Sequence, residues 1–235
     1  MNPLVYIVSA PSGSGKSTLL HGLLSTVPRL HFSISYTTRA PRGSEHDGRE
    51  YFFIARQEFE RMIQAGEFLE HAEVFGNYYG TARRFLEEAR ARGEDLLLDI
   101  DVQGAAQIKQ KIVEAVSIFV LPPSREELER RLRRRSQAEG ALDPGVLQRR
   151  LLAAAKEIEN WTRYDYLIVN DQLEPAIERL RDVVVAERRL RSGGKLSPVE
   201  EVLVGEAKKS LQANMRPQVL PILASFAGTA VSGRS

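Results

Sequence analysis

With 235 residues, 43% of them hydrophobic, the chain is long enough for one α/β domain with an inserted subdomain and a well-filled core. Lys+Arg 33 against Asp+Glu 31 leaves a net charge of +2, so bulk charge gives no reason to expect a nucleic-acid partner. The absence of cysteine excludes disulfides, thiolate metal sites and cysteine nucleophiles. Met1-Asn2-Pro3-Leu4 has no charged leader and no long apolar run, which reads as no signal peptide and a cytoplasmic location by default.

Leu4 to Ser9 is an apolar, β-branched run that enters a Gly/Ser-rich turn at Ala10 to Gly15, and a helical pattern follows from Lys16 to Leu24. Strand, loop and helix in that order open an α/β fold. Phe32 to Tyr36 reads as a second strand, and Thr37 to Gly48 as a long polar loop with Arg39 and Arg42 in it. Tyr51 to Ile54 and Glu67 to Val74 read as short strands around a helix near Gln57 to Ala65. Thr81 to Arg92 reads as a helix stopped by Gly93. Leu96 to Asp101 is a buried strand ending in acid, Gln103 to Lys111 a helix, and Val116 to Leu121 a continuous apolar strand. After Pro122-Pro123, Ser124 and Glu127 form a capping box for a helix to Arg135. Gln137 to Leu142 reads as a loop, and Asp143-Pro144 as the cap and first residue of a helix to about Asn160. Tyr166 to Val169 is the last strand and Leu173 to Arg191 the last helix of the core. Ser192-Gly193-Gly194 marks a boundary, beyond which Pro198, Pro217 and Pro221 punctuate a weakly patterned tail that is expected to be dispensable. Its apolar stretch, Val219 to Ala227, is far shorter than a membrane span.

Ala10-Pro11-Ser12-Gly13-Ser14-Gly15-Lys16-Ser17, continuing to Thr18, approximates the Walker A pattern, with Ala10 where the strict motif has Gly. Gly13 and Gly15 let backbone N–H groups curl around phosphate oxygens. Lys16 supplies a point charge on the β/γ-phosphates, the Ser17 hydroxyl can coordinate Mg²⁺, and the helix N-terminus adds partial positive charge. The loop implies a nucleoside triphosphate and says nothing about the acceptor. Asp99 and Asp101, two apart at the C-terminal end of a strand, can point into one cleft where ligands of open α/β sheets sit.

Several further segments converge on one family. Ser33-Ile34-Ser35-Tyr36-Thr37-Thr38-Arg39-Ala40-Pro41-Arg42, Gly48-Arg49-Glu50-Tyr51-Phe52-Phe53, Phe68-Leu69-Glu70 and Gly76-Asn77-Tyr78-Tyr79-Gly80-Thr81 stand in order. Leu98-Asp99-Ile100-Asp101-Val102-Gln103-Gly104 and Ile168-Val169-Asn170-Asp171 follow them. The set resembles the guanylate kinases over roughly residues 4 to 190 and leaves the tail uncovered. The resemblance implies a P-loop kinase three-layer α/β fold with a parallel central sheet, an inserted GMP-binding subdomain and a helical lid. On this reading the kinase domain is residues 1–191: core 1–32 and 94–191, GMP-binding subdomain about 33–93, lid about 131–150, with 192–235 a tail.

The implied activity is transfer of the γ-phosphate of ATP to GMP, and to dGMP as well, with Mg²⁺. By similarity Ser35 donates to guanine O6, Glu70 and Asp101 accept from N1 and N2, and Thr81 adds a polar contact. Arg39, Arg42, Tyr51 and Tyr79 clamp the GMP phosphate, Asp99 touches the Mg²⁺ hydration shell, and Asn170 meets the adenine of ATP. Arg131 and Arg135, four apart on one helical face, close with Arg150 over the transferred phosphate. Ser136 stands where the family usually has a lid glycine. Two other readings share part of this pattern: a non-catalytic guanylate-kinase-like interaction module, against which Lys16, Ser17 and the lid arginines argue, and a kinase of a phosphorylated sugar, against which Ser35, Glu70 and Asp101 argue. ATP and GMP are the partners implied; nucleic acid and membrane are not expected, and a homo-oligomer stays open.

Overall fold

The computed structural model describes residues 3–138 and 144–227. The chain opens with β1 (Val5–Ser9), buried at every position, and α1 (Lys16–Thr26). Then come β2 (Leu30–Ser33), β3 (Tyr36–Thr37), β4 (Phe52–Phe53), α2 (Arg56–Gln64), β5 (Phe68–Val74), β6 (Asn77–Ala82) and α3 (Arg84–Arg92). β7 (Asp95–Asp99), α4 (Val102–Lys111), β8 (Val116–Leu121), α5 (Arg125–Ala138) and α6 (Pro144–Ile158) follow. A 3₁₀ turn (Glu159–Arg163), β9 (Tyr166–Val169), α7 (Leu173–Ser192), α8 (Pro198–Lys209) and α9 (Gln212–Ala227) complete the described chain. One parallel sheet has the order β2-β7-β1-β8-β9, and a second sheet has the order β4-β3-β6-β5. Continuous apolar strands such as β1 and β8 are what a parallel sheet buried on both faces requires. No described helix is long and apolar enough to cross a membrane.

The chain divides into two compact units, Met1–Ser9 with Pro28–Ser117, and Ala10–Val27 with Ile118–Ser235. In the first, β7 pairs in parallel with β1 (Val5 opposite Leu96) and with β2 (Leu30 opposite Asp95). Phe59 and Met62 of α2 cluster with Phe68 of the second sheet, and Tyr36, Ile54, Ile63 and Tyr78 pack against them. In the second, β8 and β9 pair in parallel, and Leu128, Leu132, Leu147, Leu151 and Ala154 form a core between α5 and α6.

Five expectations are corrected. The single strand expected over Phe32 to Tyr36 is two: β2 ends at Ser33, and β3 joins the other sheet against β4 and β6. Thr81 and Ala82 finish β6 and do not start the helix, which begins at Arg84. The strand before α4 stops at Asp99, because Asp101 turns to cap α4, its carboxylate accepting from the Gly104 N–H at 2.9 Å. The tail is not weakly patterned: it folds as α8, opened by a full Ser197/Glu200 capping box, and α9, which runs through both Pro217 and Pro221. The expected Gln137–Leu142 loop begins later than read, since α5 continues through Ala138; its remainder and the Asp143 cap lie outside the described residues. Gly93 does stop α3, in the left-handed conformation that favours glycine.

Candidate active site

In the second unit, β8 and β9 precede the segments that meet the phosphate loop. Gly13 and Gly15 sit at φ 92° and 85°, where a side chain is strained, and the Ser14 N–H closes the turn on the Pro11 carbonyl at 3.1 Å. Gly15 caps α1 with no side chain, so the first helical turn, Lys16, Ser17 and Thr18, presents its N–H groups. Ala10 and Gly13 are half-buried, Ser12, Ser17 and Thr18 are exposed, and the fully buried Ser14 hydroxyl has no hydrogen-bond partner. Buried polar atoms are rarely left so.

Two side chains pin this loop. The Asn170 amide donates to the Ser14 carbonyl at 2.7 Å, and a Cβ at Gly15 would stand 2.4 Å from its Nδ2. The Asn170 amide nitrogen thus holds the loop. Arg131 donates from Nη1 to the Ser14 carbonyl at 3.2 Å, from Nη2 to the Asn170 carbonyl at 2.9 Å, and from Nε to Glu127 at 2.7 Å. Glu127 was read as the partner half of a capping box. Its amide does donate to the Ser124 hydroxyl, but its carboxylate is taken by Arg130 and Arg131, which hold its pKa down at about 2. Arg135 lies exposed one turn beyond Arg131 on α5, and Arg150 half-buried on α6. Ser136, where the family usually has a glycine, is buried inside α5.

In the first unit, Glu70 on β5 faces Thr81 on β6 across a register shift between Phe68 and Glu70. Such a bulge re-aims a side chain, and here it serves a buried acid. Glu70 is 3% exposed; burial raises its pKa from 4.5 to about 7, with the Asp101 charge adding to the rise and Thr81 and Lys111 opposing it. The buried Thr81 side chain lies against this carboxylate and favours its ionised form. Gly104, in the first turn of α4, has a role the sequence reading missed. A Cβ there would lie 2.4 Å from Glu70 Oε2 and 3.4 Å from Asp101 Oδ1, so glycine lets the two acids flank one point. Gln107 was missed too: its side-chain amide accepts from the His71 N–H and donates to the His71 carbonyl, fixing β5 one residue beyond Glu70. Ser35 is buried just past β2.

Arg39 is 8% exposed and forms a forked pair with Glu45, at 2.7 and 3.0 Å, over the rings of Tyr51 and Phe53. Glu45 also accepts from the Arg42 N–H at 2.8 Å, so one carboxylate ties together the segment that carries both arginines. The Arg42 side chain is exposed. Tyr51 meets Tyr79 edge to face at 5.9 Å. Burial, with the Asp99 charge behind it, pushes the Tyr51 hydroxyl up to about 12, so it stays a neutral donor. Asp99 closes β7, half-buried.

The guanylate kinase family model matches residues 2–187. The chain belongs to the guanylate kinase family. A guanylate kinase of Koribacter versatilis is 56% identical over 226 residues, 96% of this chain and 97% of that protein. One from Geobacter sulfurreducens is 51% identical over 199 residues, 85% of this chain and 96% of that protein. The crystal structure of guanylate kinase from Anaplasma phagocytophilum matches at 38% identity with a TM-score of 0.63, covering 79% of this chain and 86% of that one. The guanylate kinase model ends inside α7, whereas a match of 226 residues must include most of α8 and α9. The two C-terminal helices thus lie outside the family-wide segment and have a counterpart in a close relative.

Proposed function

We propose that this guanylate kinase family member transfers the γ-phosphate of ATP to GMP or dGMP, giving GDP or dGDP, with residues 33–93 and Asp101 reading the acceptor. The observation that carries the reading is the buried Glu70 carboxylate, set against Thr81 and facing Gly104 beside Asp101. Guanine offers acceptor O6 and donors N1–H and N2–H. Ser35 would donate to the first, and Glu70 and Asp101 would accept from the others, with Thr81 assisting. Adenine would offer the buried Glu70 carboxylate no matching donors, a mismatch that hydrogen-bonded sites punish by roughly 10⁴-fold. Arg39, Arg42, Tyr51 and Tyr79 would hold the GMP phosphate, combining charged forks with neutral hydroxyl donors.

The loop Ala10 to Thr18, pinned by Asn170, would cradle ATP. Lys16, Arg131, Arg135 and Arg150 would offset charge on the moving phosphoryl group, which is where such transfers gain most of their rate. No general base is required, since the acceptor is already an anion. The described residues hold no cluster of three or more metal-ligating acids, His or Cys, so a metal ion would come with the nucleotide. The Ser17 hydroxyl, a hard exposed oxygen next to the loop lysine, and Asp99 through water suit Mg²⁺. When bound, Mg²⁺ would neutralise charge on the β- and γ-phosphate oxygens.

We place the protein in the cytoplasm, with no nucleic-acid or membrane partner, and leave a homo-oligomer open. ADP release from ATP, measured with GMP, AMP, CMP and UMP in parallel, tests the reading. GMP should exceed the others in kcat/KM by about 10³-fold or more. Equal use of AMP or of a pyrimidine nucleotide would refute it.

A further inference from the structure

The last helix beyond the family-wide segment, α9, is built onto the helix that carries Arg131. Near the start of α9 the chain is tied down by Leu167 N–H donating to the Ser210 carbonyl at 2.8 Å and Gln212 N–H to the Asp165 carbonyl at 2.9 Å. Met215, Val219 and Ile222 are buried along it. Its far end meets α5 twice. The Ser225 hydroxyl accepts from the N–H of Arg125, the first residue of α5, at 3.0 Å, satisfying a donor that a helix start leaves orphaned. Phe226 packs on the Leu128, Leu132, Leu147, Leu151 and Ala154 cluster. Leu128 and Leu132 in turn lie hard against the phosphate loop: a Cβ at Gly13 would come within 3.1 Å of Leu128 Cδ1 and 2.8 Å of Leu132 Cδ2. Between those two leucines in sequence stands Arg131, docked on the carbonyls of Ser14 and Asn170.

We infer that α9 is a positioning element of the phosphate-transfer site: Ser225 and Phe226 set the seat of α5 and, through it, the place of the Arg131 guanidinium on the phosphate loop. The inference rests on the reading of Arg131 as a cation acting on the transferred group. A close-packed contact transmits displacement, because it has no slack to absorb it. Merely stabilising contacts would change the melting temperature alone. Positioning contacts change turnover, and they spare GMP affinity, since the GMP-reading side chains belong to the other unit.

The test is a double-mutant cycle on the full chain, with F226A, R131A and both, plus S225A and F226L. Readouts are kcat, KM for each substrate and thermal melting. F226A should lower kcat on the order of tenfold, short of the roughly hundredfold that a 1 Å misplacement can cost. KM for GMP should stay within about twofold, F226L should restore most of the loss, and S225A should show a smaller effect of the same kind. In the R131A background F226A should add nothing, as expected of two residues acting through one group. If F226A fails to fold, S225A is read by the same criteria. A lowered melting temperature with unchanged kcat, or full additivity with an impaired R131A, would overturn the inference while leaving the kinase reading standing. An R131A enzyme of normal kcat would remove the reading of Arg131, and the inference with it.

Discussion

A carboxylate as buried as Glu70 keeps its proton to about pH 7, whereas in the unfolded chain it ionises near 4.5. The unfolded chain therefore binds fewer protons between those values, and the free protein loses stability as pH rises through that window. On the proposed reading guanine would reverse the preference, because its N1–H and N2–H would donate to the ionised acid. Binding below pH 7 must then release a proton, and GMP affinity should weaken by up to about tenfold per pH unit below 7. Calorimetry in two buffers of different ionisation heat checks this, with ATP as the control whose affinity stays flat. A GMP Kd unchanged between about pH 7.5 and 5.5 would mean that Glu70 does not receive the base. At this scale the sequence points to residues whose type carries its own chemistry, such as Glu70, Lys16 and Arg131. Glu45, Gly104 and Gln107 were illegible because their work is done by partners six to thirty-six positions away, which leaves no local pattern.

Among the elements, the apolar runs of β1, β8 and β9 and the Gly-rich turn into α1 were plain in the sequence, since a strand buried on both faces has no polar alternation to blur it. β6 was missed because Gly80 breaks its pattern. That glycine is there for packing: a Cβ would meet Phe68 at 2.9 Å and Phe59 at 3.0 Å. On α5 the arginine run sorts by neighbour. Arg130 and Arg133 are exposed and paired with Glu127 and Glu129 of their own helix, whereas Arg131 reaches the phosphate loop. Replacing Arg131, Arg135 or Arg150 by Ala should lower kcat by about 10²-fold or more with little change in KM, and R133A should be mild. Equal, small effects at all four positions would reduce the run to a solvated face.

For the whole molecule the tail changes most from what the sequence suggested. Pro217 and Pro221 read as helix breakers, yet α9 passes through both and buries Met215, Val219 and Ile222, while α8 buries Val204 and Ala207. Tertiary packing overrides propensity here. Each large apolar side chain contributes about 1.5–3 kcal/mol on burial, against a net stability of about 5–15 kcal/mol for a whole protein. Truncation after Gly194 should therefore yield an insoluble chain or one melting about 10 °C or more lower, measured by thermal melting and light scattering. A truncated enzyme with unchanged melting and activity would show the tail to be an appendage, as its position beyond Gly194 first implied.

On the proposed reading a buried acid on β5, Glu70, chooses guanine. The direct measurement is kcat/KM for GMP and for AMP, in the wild-type chain and in the Glu70→Ala variant. Each good base contact is worth about 1–3 kcal/mol of discrimination, so the variant should lose roughly ten- to hundredfold with GMP, keep its KM for ATP, and narrow the gap between GMP and AMP. A wild-type preference for AMP, or a GMP to AMP ratio that the substitution leaves unchanged, would contradict the account.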